Sequence, residues 1–302
     1  MAFSTTVLSC VFVCSLLTTA KMQEITYTIM EEQEAHIMGN LAEDLSIATT
    51  QETRFQFLTA TWDNQTYFDL HGETGDISTT QPIDRESICA LNSDAICQYE
   101  LEVLVLPQSA YRFIRVHVVI EDINDHTPTF SKAVLSLEIP ETVALGTKIP
   151  LETAGDPDVG SSSVQEYDLL NDFGGRFGLF AQRYVDNTVS LQLEVTAELD
   201  RETRSTYLLT LLAHDGGNPP RTGSVILNVT VLDSNDNAPQ FQRSSYTVSI
   251  EENTAIGTHV LQVTAMDPDW GTNGQIEYSF SSSITQAARE ALEIDEATGT
   301  IS

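Results

Sequence analysis

The heptapeptide from Asp233 to Pro239 concentrates oxygen ligands in a short stretch. It reads Asp-Ser-Asn-Asp-Asn-Ala-Pro, with carboxylate or amide side chains at alternate positions and a further Asp among them. Proline ends the stretch, since it fits neither a helix interior nor a central strand. Hard oxygen ligands on a stiff connector suit Ca²⁺, which takes roughly six to eight oxygens in flexible geometry.

A single stretch of this kind is also compatible with an acidic, solvated turn, because Asn and Asp are common in turns. An EF-hand is excluded, since Ala238 stands where that loop needs Gly and Ser244 where it needs a bidentate Glu. One copy alone therefore leaves a solvated turn and a cation site both open.

A strand leads into the heptapeptide. Its alternation puts Val225, Leu227, Val229 and Val231 on one face and Ile226, Asn228 and Thr230 on the other. This period of two predicts a half-buried β-strand. A second strand of this kind, with Val116, Val118 and Ile120, precedes Asp-Ile-Asn-Asp-His-Thr-Pro at 122–128.

The two stretches lie 111 residues apart (233 − 122). Asp-Arg-Glu at 84–86 also recurs at 200–202, and Asp-Pro-Asp at 156–158 recurs at 267–269. A period of this length is too long for a solenoid repeat and matches a whole domain. Acid at recurring positions favours cation binding over general solubility.

Because these motifs recur in the same order in successive repeats, the chain resembles the cadherin superfamily. Gly39 to Leu45, and the Asp-Arg-Glu followed closely by a cysteine pair, resemble protocadherins in particular. The resemblance implies an all-β fold of tandem Greek-key sandwich repeats in a linear array. Its expected segments are a signal peptide at 1–20, repeats at 21–128 and 129–239, and an incomplete repeat at 240–302.

Composition agrees with a secreted, multidomain chain. The 302 residues carry a formal charge of −30, which argues against nucleic acid and anionic membranes as partners. An apolar run and a small-residue site predict secretory cleavage after residue 20. The sequence ends within the third repeat, so we expect a longer ectodomain with its membrane anchor further along. Cys89 and Cys97 then remain, and we expect them to form one local disulfide.

The resemblance also implies Ca²⁺ at the linkers between repeats, about three ions each. The first linker is expected to use oxygen ligands from two repeats: Glu31 or Glu32, Asp84, Glu86, Asp122, Asn124, Asp125, the main-chain carbonyl of His126, Asp156, Asp158 and Asp215. The second is expected to use Glu141, Asp200, Glu202, Asp233, Asn235, Asp236, Asn237, Asp267 and Asp269, while Glu252 would belong to a third.

The function expected from the resemblance is calcium-dependent cell–cell adhesion at the plasma membrane, with the same protein on an apposed cell as the partner. A heterophilic receptor or a large polarity cadherin remains open. A secreted hydrolase using paired carboxylates is disfavoured, because the pairs recur in every repeat. Asn64 and Asn228 head Asn-x-Thr sequons for N-glycans.

Overall fold

The computed structural model describes residues 22–58, 67–89, 96–106, 111–185 and 187–302. The expected signal peptide and Asn64 lie outside the described residues. The chain packs as two compact units: the first has residues 1–126, 157–163 and 217–219, and the second has 127–156, 164–216 and 220–302. The repeat boundaries expected at 128 and 239 remain predictions.

The first unit contains two facing sheets. Its elements are β1 (Gln23–Met30), β2 (Ile37–Asn40), α1 (Leu41–Asp44), β3 (Arg54–Phe57), β4 (Phe68–Leu70), β5 (Asp76–Thr79), α2 (Arg85–Cys89), β6 (Gln98–Leu106) and β7 (Arg112–Glu121). One sheet has the order β1-β7-β6-β3 and the other β2-β5-β4. Both contribute to one core, which includes Phe68, Ile77, Val103 and Val116.

The second unit repeats this plan and then continues. Its elements are β8 (Val134–Pro140), β9 (Lys148–Leu151), β10 (Val164–Leu170), β11 (Phe177–Arg183), β12 (Val189–Val195), β13 (Thr206–Asp215), β14 (Thr222–Leu232), β15 (Gln240–Phe241), β16 (Leu261–Gln262), β17 (Ala265–Met266), α3 (Gln286–Ala291) and β18 (Thr300–Ile301). The sheets β10-β13-β14-β8 and β11-β12-β9 enclose a core that includes Phe177, Leu193, Leu209 and Leu227.

The alternating strands form as their period of two predicts. In β14 the four residues from Val225 to Val231 that share one face are buried, and β7 buries Val116, Val118 and Ile120. In each two-sheet sandwich the first and last strands are parallel neighbours. Strand β1 pairs with β7 over eight residues, and β8 pairs with β14 over seven. Each acidic stretch therefore begins where a parallel strand pair ends.

One alternating run, whose period of two predicts a strand, does not form one. Tyr246, Val248 and Ile250 alternate as a strand should, yet residues 242–250 form no strand, and Val248 and Ile250 are exposed. Their counterparts in β1 and β8 pair with the last strand of the same plan. The strands described after residue 250 are two residues long, and none of them pairs with this run, so these residues lack a hydrogen-bonding edge.

Two further features concern covalent structure and membranes. Cys89 and Cys97 are joined by a disulfide at the end of α2, as the sequence predicts. Within the described ranges, each helix is too short or too polar to cross a bilayer.

Candidate metal centres

Two acidic clusters form where the parallel strand pairs end. The first acidic cluster contains Glu31, Asp84, Glu86, Asp122, Asp125, His126 and Asp158, all in the first unit. The second acidic cluster contains Glu141, Asp200, Glu202, Asp233, Asp236, Asn237 and Asp269, all in the second unit.

A buried glutamate anchors each cluster to the main chain. Glu31 accepts the N–H groups of Arg85 and Ile123, both at 2.8 Å. Glu141 accepts those of Arg201 and Ser234 at 2.8 and 2.7 Å. Each carboxylate thereby ties the Asp-Arg-Glu segment to the end of the last strand.

An aspartate turn holds the Asp-Arg-Glu segment in the same way in both clusters. Asp84 accepts the N–H of Ser87 at 3.0 Å and its hydroxyl at 2.6 Å. Asp200 accepts the N–H and hydroxyl of Thr203 at 2.9 and 2.7 Å. The Ser87 hydroxyl bond above all keeps the pKa of Asp84 below its ordinary value, and that of Thr203 does the same for Asp200.

Each cluster contains two overlapping groups of possible ligands. In the first, Glu86 belongs both to a group with Glu31 and Asp84 and to a group with Asp125, His126 and Asp158. The ligand atoms within each group lie within 4.8 Å of one another. Such sharing allows one carboxylate to bridge two adjacent cations.

The second cluster has the same overlap. Glu202 belongs to a group with Glu141 and Asp200 and to another with Asp233 and Asp269, again within 4.8 Å. Glu202 therefore takes the place that Glu86 has in the first cluster, and the two clusters present the same chemistry twice.

Two equivalent residues each contact a more distant aspartate of their cluster. Asn237 contacts Asp269, and His126 contacts Asp158. The N–H of Asn237 donates to Asp269 at 3.4 Å and its side-chain Nδ2 donates to Asp269 at 2.8 Å. His126 places its N–H 3.1 Å and its ring Nδ1 2.9 Å from Asp158. The imidazole thus takes the place of the amide, which accounts geometrically for histidine at this position.

The clusters differ in how the first aspartate after the last strand is held. This residue is Asp122 in the first cluster and Asp233 in the second. Asp122 accepts the N–H of Val159 at 3.0 Å, and Asp233 accepts that of Trp270 at 2.9 Å. Asp233 also accepts the side chain of Asn273 at 2.8 Å. Serines at 161–163 replace that asparagine in the first cluster, and Asp122 Oδ2 is buried with no hydrogen-bond partner among the described residues.

The donor set fits a hard cation. Glu86 Oε2 and Asn124 Oδ1, like Asp122 Oδ2, are buried and accept no hydrogen bond within the described part of the chain. Leaving such acceptors unsatisfied costs about 1–3 kcal/mol each. A Ca²⁺ ion would satisfy carboxylate and amide oxygens of this kind.

An arginine lies beside the carboxylates of each cluster. Arg85 Nη1 lies 2.8 Å from Glu86 and 3.5 Å from Asp122. Arg201 contacts Glu202 and lies 2.5 Å from Asp233. The guanidinium groups therefore offset part of the negative charge of each cluster.

The pKa values reflect this crowding. Burial above all raises the pKa of Glu31 to about 7, with the nearby Glu86 adding to the rise. Burial also raises the pKa of Asp158. It likewise raises the pKa of Asp236, to which the charges of Glu141 and Asp269 add. Carboxylates whose neighbours disfavour ionisation are stabilised by a bound cation.

The structure separates the two adjacent glutamates. Glu31 continues the inward positions of β1 beyond Ile29 and is buried, while Glu32 has φ +57° and is exposed. Of the two, Glu31 belongs to the cluster. The strand's period of two carries this signal in the sequence.

Other predicted ligands lie apart from these groups or at their margins. Asn124 donates its Nδ2 to the carbonyl of Pro219 at 2.8 Å. Asp215 accepts the N–H of Arg221, and Asp267 accepts that of Asp269. The remaining candidates have no described place in either cluster: Asp156 in the second unit, and the exposed Asn235 and Glu252. Their ligand roles remain predictions.

Sequence reasoning missed the main-chain part of these centres. The N–H groups of Arg85, Ile123, Arg201 and Ser234 hold the buried glutamates. Residue types carry no signal for such donors, because every residue except proline offers the same one.

Family models match separate parts of the chain. The model for the cadherin domain matches residues 135–232 and 246–302, and a cadherin-like model matches residues 24–106. Protocadherin 18 of Mus musculus is 39% identical over 284 residues, and protocadherin-11 X-linked of Homo sapiens is 38% identical over 288. Each alignment covers 92% of this chain and 24% or 21% of the relative, so the chain spans about a quarter of their length.

Solved structures are similar over most of the chain. The protocadherin gamma C5 EC1-3 structure has a TM-score of 0.81 and 35% identity, covering 92% of this chain and 88% of that one. The mouse clustered PcdhgC3 EC1-3 structure has a TM-score of 0.82 and 37% identity, covering 92% and 87%. The tandem all-β fold expected from the sequence is thereby confirmed.

Proposed function

The chain belongs to the cadherin family, and from this we propose that it is part of a cell-surface, protocadherin-like adhesion protein whose two acidic clusters bind Ca²⁺. Members of the family are adhesion proteins and not enzymes, so the paired carboxylates need no catalytic role. The repeated cluster geometry carries the calcium proposal.

The ligands of the proposal are those predicted from the sequence. Glu86 and Glu202, which each belong to two ligand groups, would hold Ca²⁺ together with the anchored Glu31 and Glu141. Asp158 and Asp269 add carboxylates from the following predicted repeat. Ca²⁺ supplies the positive charge that holds these groups together, so its removal should let the connector move.

Asp236→Ala tests the second cluster. Asp236 lies on the connector, and the charges of Glu141, Asp269 and Asp200 all affect its carboxyl. Extracellular calcium modules bind at roughly 10⁻⁴–10⁻³ M, so a tenfold excess adds only about 1.4 kcal/mol per site. We expect loss of calcium protection near residues 233–240 without global unfolding.

Limited proteolysis with and without calcium measures this on a longer chain that continues past residue 302. Glu166→Ala is the matched control, because Glu166 is an exposed acid on β10 of the same repeat. Equal calcium protection of the Asp236→Ala and wild-type connectors would exclude Asp236 as a ligand.

We further propose that the partner is the same protein on an apposed cell. The protocadherin relatives support a cadherin ectodomain as the partner. Beads coated with the intact ectodomain should cluster in calcium and disperse in chelator. Beads that stay dispersed in calcium would reject homophilic binding and favour a heterophilic partner.

A further inference from the structure

The outward face of the sheet β10-β13-β14-β8 carries a row of exposed apolar residues. Leu170 pairs with Thr210, Thr210 with Ile226, and Ile226 with Val134, so the row crosses all four strands. Leu170, Ile226 and Val134 are each more than two fifths exposed, and Leu208 in the next row is 55% exposed. Neighbouring exposed apolar residues of this kind mark a surface that something covers.

The sequon Asn228-Val229-Thr230 lies beside this row. Asn228 is paired with Leu208 on one side and with Ser136 on the other. Strands lie about 4.8 Å apart and every second residue of a strand about 6.8 Å apart. The four apolar side chains therefore all lie within about 12 Å of Asn228.

The surroundings of Asn228 are almost uncharged. Of the nine outward positions in the three rows centred on it, only Glu138 carries a charge. This is unusual for a chain with 44 acidic residues and a net charge of −30. A small, neutral surface beside apolar side chains suits the faces of sugar rings.

The fold gains little from the Asn228 amide. Its Oδ1 is buried and accepts no hydrogen bond from the described residues. An unsatisfied buried oxygen costs free energy, and a threonine or valine would suit a central strand better. The asparagine is thus explained by chemistry outside the fold.

From these observations we propose that Asn228 carries an N-linked glycan that covers this face of the sheet. The reaction joins Asn228 Nδ2 to the anomeric carbon of an oligosaccharide that is supplied as a lipid-linked diphosphate. The bond from that carbon to the diphosphate oxygen breaks, the lipid diphosphate leaves, and Nδ2 loses one proton. Thr230, on the same face of β14, completes the acceptor.

The proposal rests on the extracellular placement in the proposed function. It adds that adhesion by this repeat uses a surface other than the glycan-covered face. A protein partner on this face is the competing occupant, and the two differ in what the secreted chain carries.

The test expresses the full chain through a secretory pathway and measures occupancy of Asn228 by mass spectrometry after enzymatic deglycosylation in heavy-oxygen water. We expect most wild-type and Thr230→Ser molecules to be modified and Thr230→Val molecules to be unmodified. Secreted wild-type protein without sugar at Asn228 would overturn the proposal.

A second measurement tests coverage itself. Thr230→Val should bind an apolar fluorescent dye at least several-fold more than wild type, and Leu208→Thr with Ile226→Thr in that background should remove the gain. Equal dye binding by Thr230→Val and wild type would refute coverage. A glycan found together with an unprotected calcium connector would reject the proposed function and leave this inference intact.

Discussion

Replacing Glu141 separates its structural role from its role as a proposed calcium ligand. Its two oxygens accept the N–H groups of Arg201 and Ser234 at 2.8 and 2.7 Å, and the residue is 6% exposed. Glu141→Ala removes both acceptors. At about 1–3 kcal/mol for each group left unsatisfied, and with water able to reach these half-buried segments, we expect a loss of about 2–4 kcal/mol.

Glu141→Gln gives a different expectation. Its amide oxygen still accepts one of the two N–H groups. Burial above all raises the pKa of Glu202 and Asp236, and loss of the Glu141 charge removes the repulsion that adds to this rise. In chelator we therefore expect Glu141→Gln to stay within about 1 kcal/mol of wild type. In calcium both variants should lose the stabilisation that the ion gives the wild type.

The assay measures unfolding in urea. Hydrogen exchange of the amides in β12, β13 and β14 provides the signal, so that it reports this repeat alone. Glu138→Ala is the control, because Glu138 is exposed on β8, the strand that precedes Glu141, and should change stability by less than about 0.5 kcal/mol. Equal stability of the Ala and Gln variants in chelator would refute the anchoring argument. An undiminished gain from calcium would refute the ligand role.

Two further predictions concern the first repeat. Gly39→Ala should cost about 1–3 kcal/mol by overpacking, because a Cβ at this position would overlap the Tyr27 ring, whereas the Gly72→Ala control meets nothing closer than 3.5 Å; equal melting temperatures would contradict this. Burial lowers the pKa of His126, but its bonds to Asp158 and the Asp125 charge raise it more, so the stabilisation is complete below the ordinary pKa of about 6.5 and is lost as the pH rises through the folded value. In chelator the free energy of unfolding should therefore fall as the pH rises above about 6.5, and fall less in His126→Asn; parallel pH profiles would contradict this.

Local periodicity predicted the parts of the fold that depend on local sequence. The inward faces of β7 and β14 follow directly from alternation. The acids predicted as ligands include the carboxylates that lie together in each cluster, and they also include Asp156, Asp215 and Asp267, which lie outside the ligand groups. The strand expected at Tyr246 to Ile250 failed for a non-local reason, because a strand needs a partner edge and the alternating pattern does not supply one.

The finer geometry of the clusters depended on backbone conformation. The period of two in β1 points to Glu31, but the positive φ of Glu32, which leaves that residue exposed, could not be read from residue type. The His126 imidazole and the Asn237 amide make equivalent contacts with Asp158 and Asp269. This equivalence depends on the distances between these side chains in the folded chain.

The parallel pairing of first and last strands has a mechanical consequence. Strands β8 and β14 run side by side in the same direction over seven paired residues, although 92 positions (226 − 134) separate the first paired residues in the chain. A pull on the two ends of this sandwich acts along the strands in opposite directions. It shears all the hydrogen bonds of the pair at once and does not peel them apart one at a time. Strands β1 and β7 resist a pull in the same way, so the strand order of the sheets gives each sandwich tensile strength, as the proposed adhesive function requires.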